Sequence, residues 1–159
     1  AEMARKVAFA AVKFADLQNT GVTNYGLVPD RLTALEGKTG PYLLYAVVRI
    51  KSILRRAKDE GVTPGQMTVA DPAEAQLVLA LDGFGRAVAA AAEKYAPHIL
   101  CDHIYRVAQS FSRFYADCPI LAETVPDEVK ASRLALAELT LRQLEKGLNT
   151  LGIETPDRL

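Results

Sequence analysis

The chain has 159 residues, half of them apolar, with nineteen basic residues balanced by nineteen acidic ones. That length supports one domain with a real core. Zero net charge excludes broad, non-specific nucleic-acid binding, which needs a basic excess, so any RNA contact has to be a local patch.

Cys101 and Cys118 are too few and too far apart for a disulfide framework or a zinc knuckle, and read as reduced thiols of a reducing compartment. Near the N-terminus, Arg5-Lys6 precedes a short apolar run, but Lys13 and Asp16 cut it into an amphipathic helix rather than a signal peptide. No stretch is expected to reach the ~20 apolar residues of a membrane span. The sequence opens on Ala1 without an initiator Met, from which a fragment of something larger is expected.

Glu2 to about Asn19 has helical spacing, with Val7, Ala11 and Phe14 on one face. Residues 20–26 are loop by their Gly, Thr and Asn content. Pro29 to Leu35 predicts a short helix, stopped by Gly37. The next helix, to about Asp59, opens with Thr39 or Gly40 at the N-cap and Pro41 in the first turn. Leu43, Val47, Ile50, Leu54 and Ala57 line its core face. Tyr42, Tyr45, Arg49, Ser52 and Arg56 form a second line, about 140° away at roughly 100° per residue. Two readings of that line stand: rings packed under a neighbour beside solvated arginines, or a binding face of stacking rings and phosphate-matching forks.

Residues 61–70 are the longest loop. Asp71-Pro72-Ala73-Glu74 is a capping box, and its helix runs to about Leu81 before Asp82-Gly83-Phe84-Gly85 interrupts it. An alanine-rich helix resumes to about Tyr95. Pro97 restarts the chain into a helix ending near Tyr115, its core face carrying Leu100, Ile104, Val107, Phe111 and Phe114. Pro119 forces a turn. A last long helix begins near Pro126 with Leu134, Ala137, Leu141, Leu144, Leu148 and Leu151 at 3–4 spacing, and Gly152 ends it. Nothing alternates with period two. The expected fold is all-α, a bundle of antiparallel helices.

Catalytic groupings are missing. His98 and His103 are five apart, on different faces of one helix, where a zinc pair wants i, i+4. Phosphate-binding loops and nucleophile elbows have no counterpart, and Cys118 reads as a core thiol. Tyr115 ends its helix either projecting beyond the bundle or capping the core. On the last helix Lys130, Arg133, Arg142 and Lys146 alternate with Glu138 and Glu145, a mixture read as a solvated face.

Three segments and a shorter upstream one carry a family resemblance. Glu36-Gly37-Lys38-Thr39-Gly40-Pro41-Tyr42-Leu43-Leu44-Tyr45-Ala46 resembles the E-G-x-T-x-P-Y-L-Q-Y-A segment of arginyl-tRNA synthetases. Pro97-His98-Ile99-Leu100-Cys101, with Phe111 through Leu121, resembles that family's P-H-x-L-C and F-x-x-F-Y-x-x-C-P-V-L. The ending, from Arg133-Leu134-Ala135-Leu136 to Leu159, resembles the family's R-L-A-L…G-I-x-x-P-E-R-M terminus, and Ala11 to Leu17 its A-I-K-Y-x-D-L. The resemblance implies an anticodon-binding domain, residues 37–159, behind a helical connector, residues 1–36, from a catalytic half whose HIGH-type and KMSKS-type motifs are missing here. For the whole ligase it implies ATP-dependent arginylation of tRNA(Arg) in the cytoplasm, with ATP and Mg bound by the catalytic half and no cofactor in this part.

The family's RNA contacts carry over to Tyr42, Tyr45, Tyr115 and the last residue, Leu159. The sequence departs from the family pattern at Leu44, at Val47-Val48 and at Leu159, where a leucine can still press a flat apolar surface on a base. The expected partner is the anticodon stem-loop of tRNA(Arg), not DNA and not a membrane. Tyr42, Tyr45, Tyr115 and Leu159 receive loop bases, and Arg49, Arg56 and Arg133 neutralise phosphates. The alternative is a helical protein-interaction module whose aromatic face docks another subunit or the catalytic half.

Overall fold

A computed structural model describes residues 2–22, 24, 26 and 28–159. They form the helices α1 (Glu2–Leu17), α2 (Pro29–Leu32), α3 (Gly40–Asp59), α4 (Pro72–Asp82), α5 (Phe84–Glu93), α6 (Pro97–Asp117) and α7 (Asp127–Thr150). No strand occurs among the described residues. Thr23, Tyr25 and Leu27, in the expected 20–26 loop and just after it, lie outside them.

Local chemistry sets the ends. The Thr39 side chain accepts the Tyr42 amide at 3.1 Å, so Thr39 rather than Gly40 is the N-cap of α3. Asp71 and Glu74 complete the capping box of α4, with the Asp71 carboxylate accepting the Ala73 amide at 2.8 Å. The interruption falls at Gly83, and α5 restarts at Phe84. α2 stops at Leu32, three residues short of expectation, and beyond it the Thr39 hydroxyl donates to the Ala34 carbonyl at 2.6 Å, tying that segment to the cap of α3.

The core is one continuous cluster drawn from α1, α3, α4, α6 and α7. Phe14, Leu43, Val47, Ile50, Leu77, Ile104, Phe111, Phe114, Leu134, Leu144 and Leu148 are fully or almost fully buried in it. Each such side chain contributes roughly 1.5–3 kcal/mol before entropy is subtracted. The buried stripe of α3 is wider than its spacing predicts: Leu44, Ala46 and Ile53 are also buried, because α1, α6 and α7 cover it from three sides. α1 and α3 cross at Gly40, where a Cβ atom would stand 2.1 Å from the Ala10 carbonyl oxygen. Only glycine allows that approach.

One expectation is corrected. Pro72–Glu93 is a 22-residue stretch that contains an 18-residue window of mean hydropathy 1.3, long and apolar enough by composition to cross a membrane. Physical detail speaks against that use. Gly83 breaks it into two helices, Glu74 within it pairs with Arg133 of α7, and Leu77 and Leu81 are core residues.

Candidate nucleic-acid interface

Along the flank of α3, Tyr45, Arg49, Ser52 and Arg56 follow one another at helical spacing and meet the C-terminal end of α6. Tyr45 is 45% exposed. The Arg49 guanidinium carbon lies 5.7 Å from the Tyr45 ring centroid and 4.7 Å from that of Tyr115. It therefore bridges the two helices through cation–π contacts. The Tyr115 ring also stacks on Phe111, centroids 6.2 Å apart and planes 15° from parallel. Tyr115 thus packs partly buried against the core while Arg49 stands over its ring. It does not project freely beyond the bundle.

Beyond Tyr115 a groove of about 550 Å³ opens between Ser52, Ile53 and Arg56 on one side and Pro119, Ile120, Leu121 and Ala122 on the other. Arg56 stays two-thirds exposed while its Nε donates to Glu60 at 2.7 Å, one turn further along. That carboxylate raises the already high pKa of the guanidinium, so its charge is permanent. At the edge of the groove thus stands a guanidinium that is ion-paired with Glu60 yet open to solvent.

Tyr42 departs from the outward line. Its ring is half-buried against Tyr105, centroids 5.7 Å apart and edge-on, and its hydroxyl sits 3.3 Å from Ser112 Oγ. The wide cover of α6 over the first turn of α3 draws it in. Leu44, expected to offer a flat surface to a base, has no exposed area at all. Val47 is likewise buried and Val48 half-buried, so the departures from the family pattern on α3 belong to packing rather than to the surface.

Arg133 also lies elsewhere than expected. Its Nε donates to Glu74 Oε1 at 2.8 Å and its Nη1 to the Pro119 carbonyl at 2.7 Å, in a pair that leaves 14% and 3% of the two side chains exposed. With Nε and Nη1 so committed and the side chain mostly buried, this guanidinium is not a free phosphate ligand. Burial works against ionisation of Glu74, but the Ala70 amide, Arg133 and the Asp71 amide outweigh it and hold the carboxyl below its ordinary range.

The C-terminal tail is fastened along α3. Lys51 donates to Asp157 at 2.8 Å and to the Pro156 carbonyl at 3.2 Å, and also pairs with Glu145 at 2.8 Å. Arg55 donates to the Asp157 carbonyl at 3.1 Å. Leu159, two residues beyond this clamp, is 49% exposed. Spacing alone gave no sign of the clamp or of the 119–122 wall, since both depend on residues more than sixty positions apart.

A family model described as the DALR anticodon binding domain matches residues 43–159. The chain belongs to that family. Its surroundings in other proteins agree: an arginine–tRNA ligase of Maricaulis maris (strain MCS10) is 57% identical over 159 residues, which is all of this chain and 27% of that protein. An arginine–tRNA ligase of Hyphomonas neptunium (strain ATCC 15444) is 54% identical over 158 residues, 99% of this chain and 27% of that protein. The solved Thermus thermophilus arginyl-tRNA synthetase superposes with a TM-score of 0.88 at 32% identity, over 99% of this chain and 27% of that one. A Plasmodium falciparum arginyl-tRNA synthetase, at 24% identity and TM-score 0.85, shares the fold of this DALR domain over 99% of the chain and 28% of its own. The chain spans about a quarter of the length of the relatives it matches.

Proposed function

We propose that this DALR domain is the anticodon-binding part of an arginine–tRNA ligase, and that it holds the anticodon stem-loop of tRNA(Arg) in the groove between α3 and the turn after α6. The observation that carries the reading is the Tyr45–Arg49–Tyr115 cluster beside Arg56, a flat aromatic and cationic surface on an otherwise charge-balanced chain. Unstacked loop bases are the part of an RNA that such a surface reads, and a local pair of arginines supplies the phosphate contacts that net charge does not.

In this reading Tyr45 offers its exposed ring first, and Tyr115 offers the face now covered by Arg49. Tyr42 contributes its ring edge from the first turn, and Leu159 an apolar contact at the end of the clamped tail. Arg49 and Arg56 meet phosphates. Arg133 supports the site from behind. The whole ligase would join arginine to tRNA(Arg) in the cytoplasm at the expense of ATP. ATP and Mg would be held by its catalytic part, since the HIGH-type and KMSKS-type motifs have no counterpart in these 159 residues.

Titration of the chain with an anticodon stem-loop of tRNA(Arg) tests this. Each of Tyr45→Ala and Tyr115→Ala is expected to weaken binding by about 1–3 kcal/mol, the worth of one stacked base. Unchanged affinity at moderate salt would show that the RNA lies elsewhere. A complex insensitive to salt and indifferent to RNA would instead support docking of another protein on the aromatic face.

A further inference from the structure

Glu74 shares one carboxylate between two tasks. One oxygen accepts Arg133 Nε, and the other accepts the amides of Ala70 and Asp71 at 2.8 and 3.0 Å. Arg133 then extends past Glu74 to the Pro119 carbonyl. A single guanidinium thereby joins three distant stretches of chain: the N-terminal cap of α4, the first half of α7 and the turn after α6. Pro119 has no amide hydrogen, so its carbonyl is the backbone handle available at that residue. The residues that follow it, Ile120 to Ala122, are the wall of the groove that faces Arg56 and Tyr115.

We infer that Arg133 is a positioning residue for ligand binding: bridging Glu74 and the Pro119 carbonyl, it sets where the 119–122 wall stands and so fixes the width of the groove beside Tyr115. The inference rests on the reading of that groove as the RNA site. The bridge uses two separate nitrogens of one planar fork, Nε toward Glu74 and Nη1 toward the Pro119 carbonyl, whereas a lysine carries all its donors on one nitrogen. Lysine at this position therefore keeps the ion pair and gives up the link to the wall.

Arg133→Lys separates positioning from charge. The expected result is a retained helical spectrum and cooperative melt, with shifted methyl resonances of Ile120 and Leu121 and shifted ring resonances of Tyr115. Affinity for the anticodon stem-loop of tRNA(Arg) falls about tenfold, while the slope of log affinity against log salt is unchanged. In Arg133→Gln, which removes the charge, that slope also stays as it was. A slope lowered by about one in Arg133→Gln would mean a direct phosphate contact and overturn the assignment. Unmoved methyl resonances, or full affinity, in Arg133→Lys would overturn it too. If Arg133→Lys does not fold, Glu74→Gln releases the guanidinium from its anchor and is read in the same way; failure of both to fold reduces the pair to plain structural support. Absence of RNA binding by the unaltered chain sinks the RNA reading alone, because the methyl shifts still report the wall.

Discussion

Arg49 stands over the Tyr115 ring, its guanidinium carbon 4.7 Å from the centroid, and so joins α3 to the end of α6 at the mouth of the groove. In the proposed RNA reading, a base stacked on that ring takes the place of the guanidinium, which then meets the backbone of the same nucleotide. Replacing Arg49 by methionine keeps an unbranched side chain about as long as the arginine stem and removes the guanidinium charge. The expected outcome is weaker binding of the anticodon stem-loop together with a salt dependence shallower by about one unit of slope. Affinities measured across a salt series check it, and an unaltered slope would place Arg49 outside the RNA contact.

The crossing of α1 and α3 allows no side chain at residue 40. A methyl group there would meet the backbone of Ala10 and Ala11, which has no flexible end to give way. Gly40→Ala is therefore expected to lower stability by at least the ~1–3 kcal/mol of an overpacked core. Thermal melts give the size of the loss. A variant as stable as the parent would mean that the two helices are not held so close.

Stability should respond to acid in two steps. Burial, with the nearby Arg106 charge, holds the His103 imidazole below its ordinary value of 6.5, and Gln143 beside it offsets this only in part. The unfolded chain therefore binds this proton more readily than the folded one. Stability is fully present above about 6.5 and is lost as pH falls from there toward the lower folded value. Glu74, whose folded value is lowered from 4.5, adds a second loss below that point, as its pairing with Arg133 is titrated away. Melting temperature against pH should show both. His103→Gln should abolish the upper step and leave the lower one.

Both thiols should be silent in the native protein. Cys101 and Cys118 are unpaired and buried, and burial pushes them up to about 12 and about 11. The thiolate is the reactive form, so at pH 8 a thiol reagent is expected to react slowly with the folded chain and to count two cysteines on addition of denaturant. Rapid native-state labelling of either would contradict the packing of α6 against its neighbours.

Local chemistry by itself determined the helical class, most of the boundaries and the composition of the core. The N-cap of α3, the Asp71–Glu74 box and the stops at Gly83, Pro119 and Gly152 act within a few residues, and the apolar spacing of α6 and α7 names the faces they bury. The E-G-x-T-x-P-Y segment, read as a motif, also pointed to the family that the match over residues 43–159 shows. Which side chains of that face are open to a ligand was decided only in three dimensions. Tyr42 and Tyr45 are neighbours on one helix, yet α6 covers the first and leaves the second exposed. Arg56 and Arg133 look alike in sequence, yet a buried carboxylate fifty-nine positions away takes one of them out of reach. Helical periodicity fixes the direction of a side chain about its own axis, whereas exposure and charge depend on what a distant segment brings to meet it.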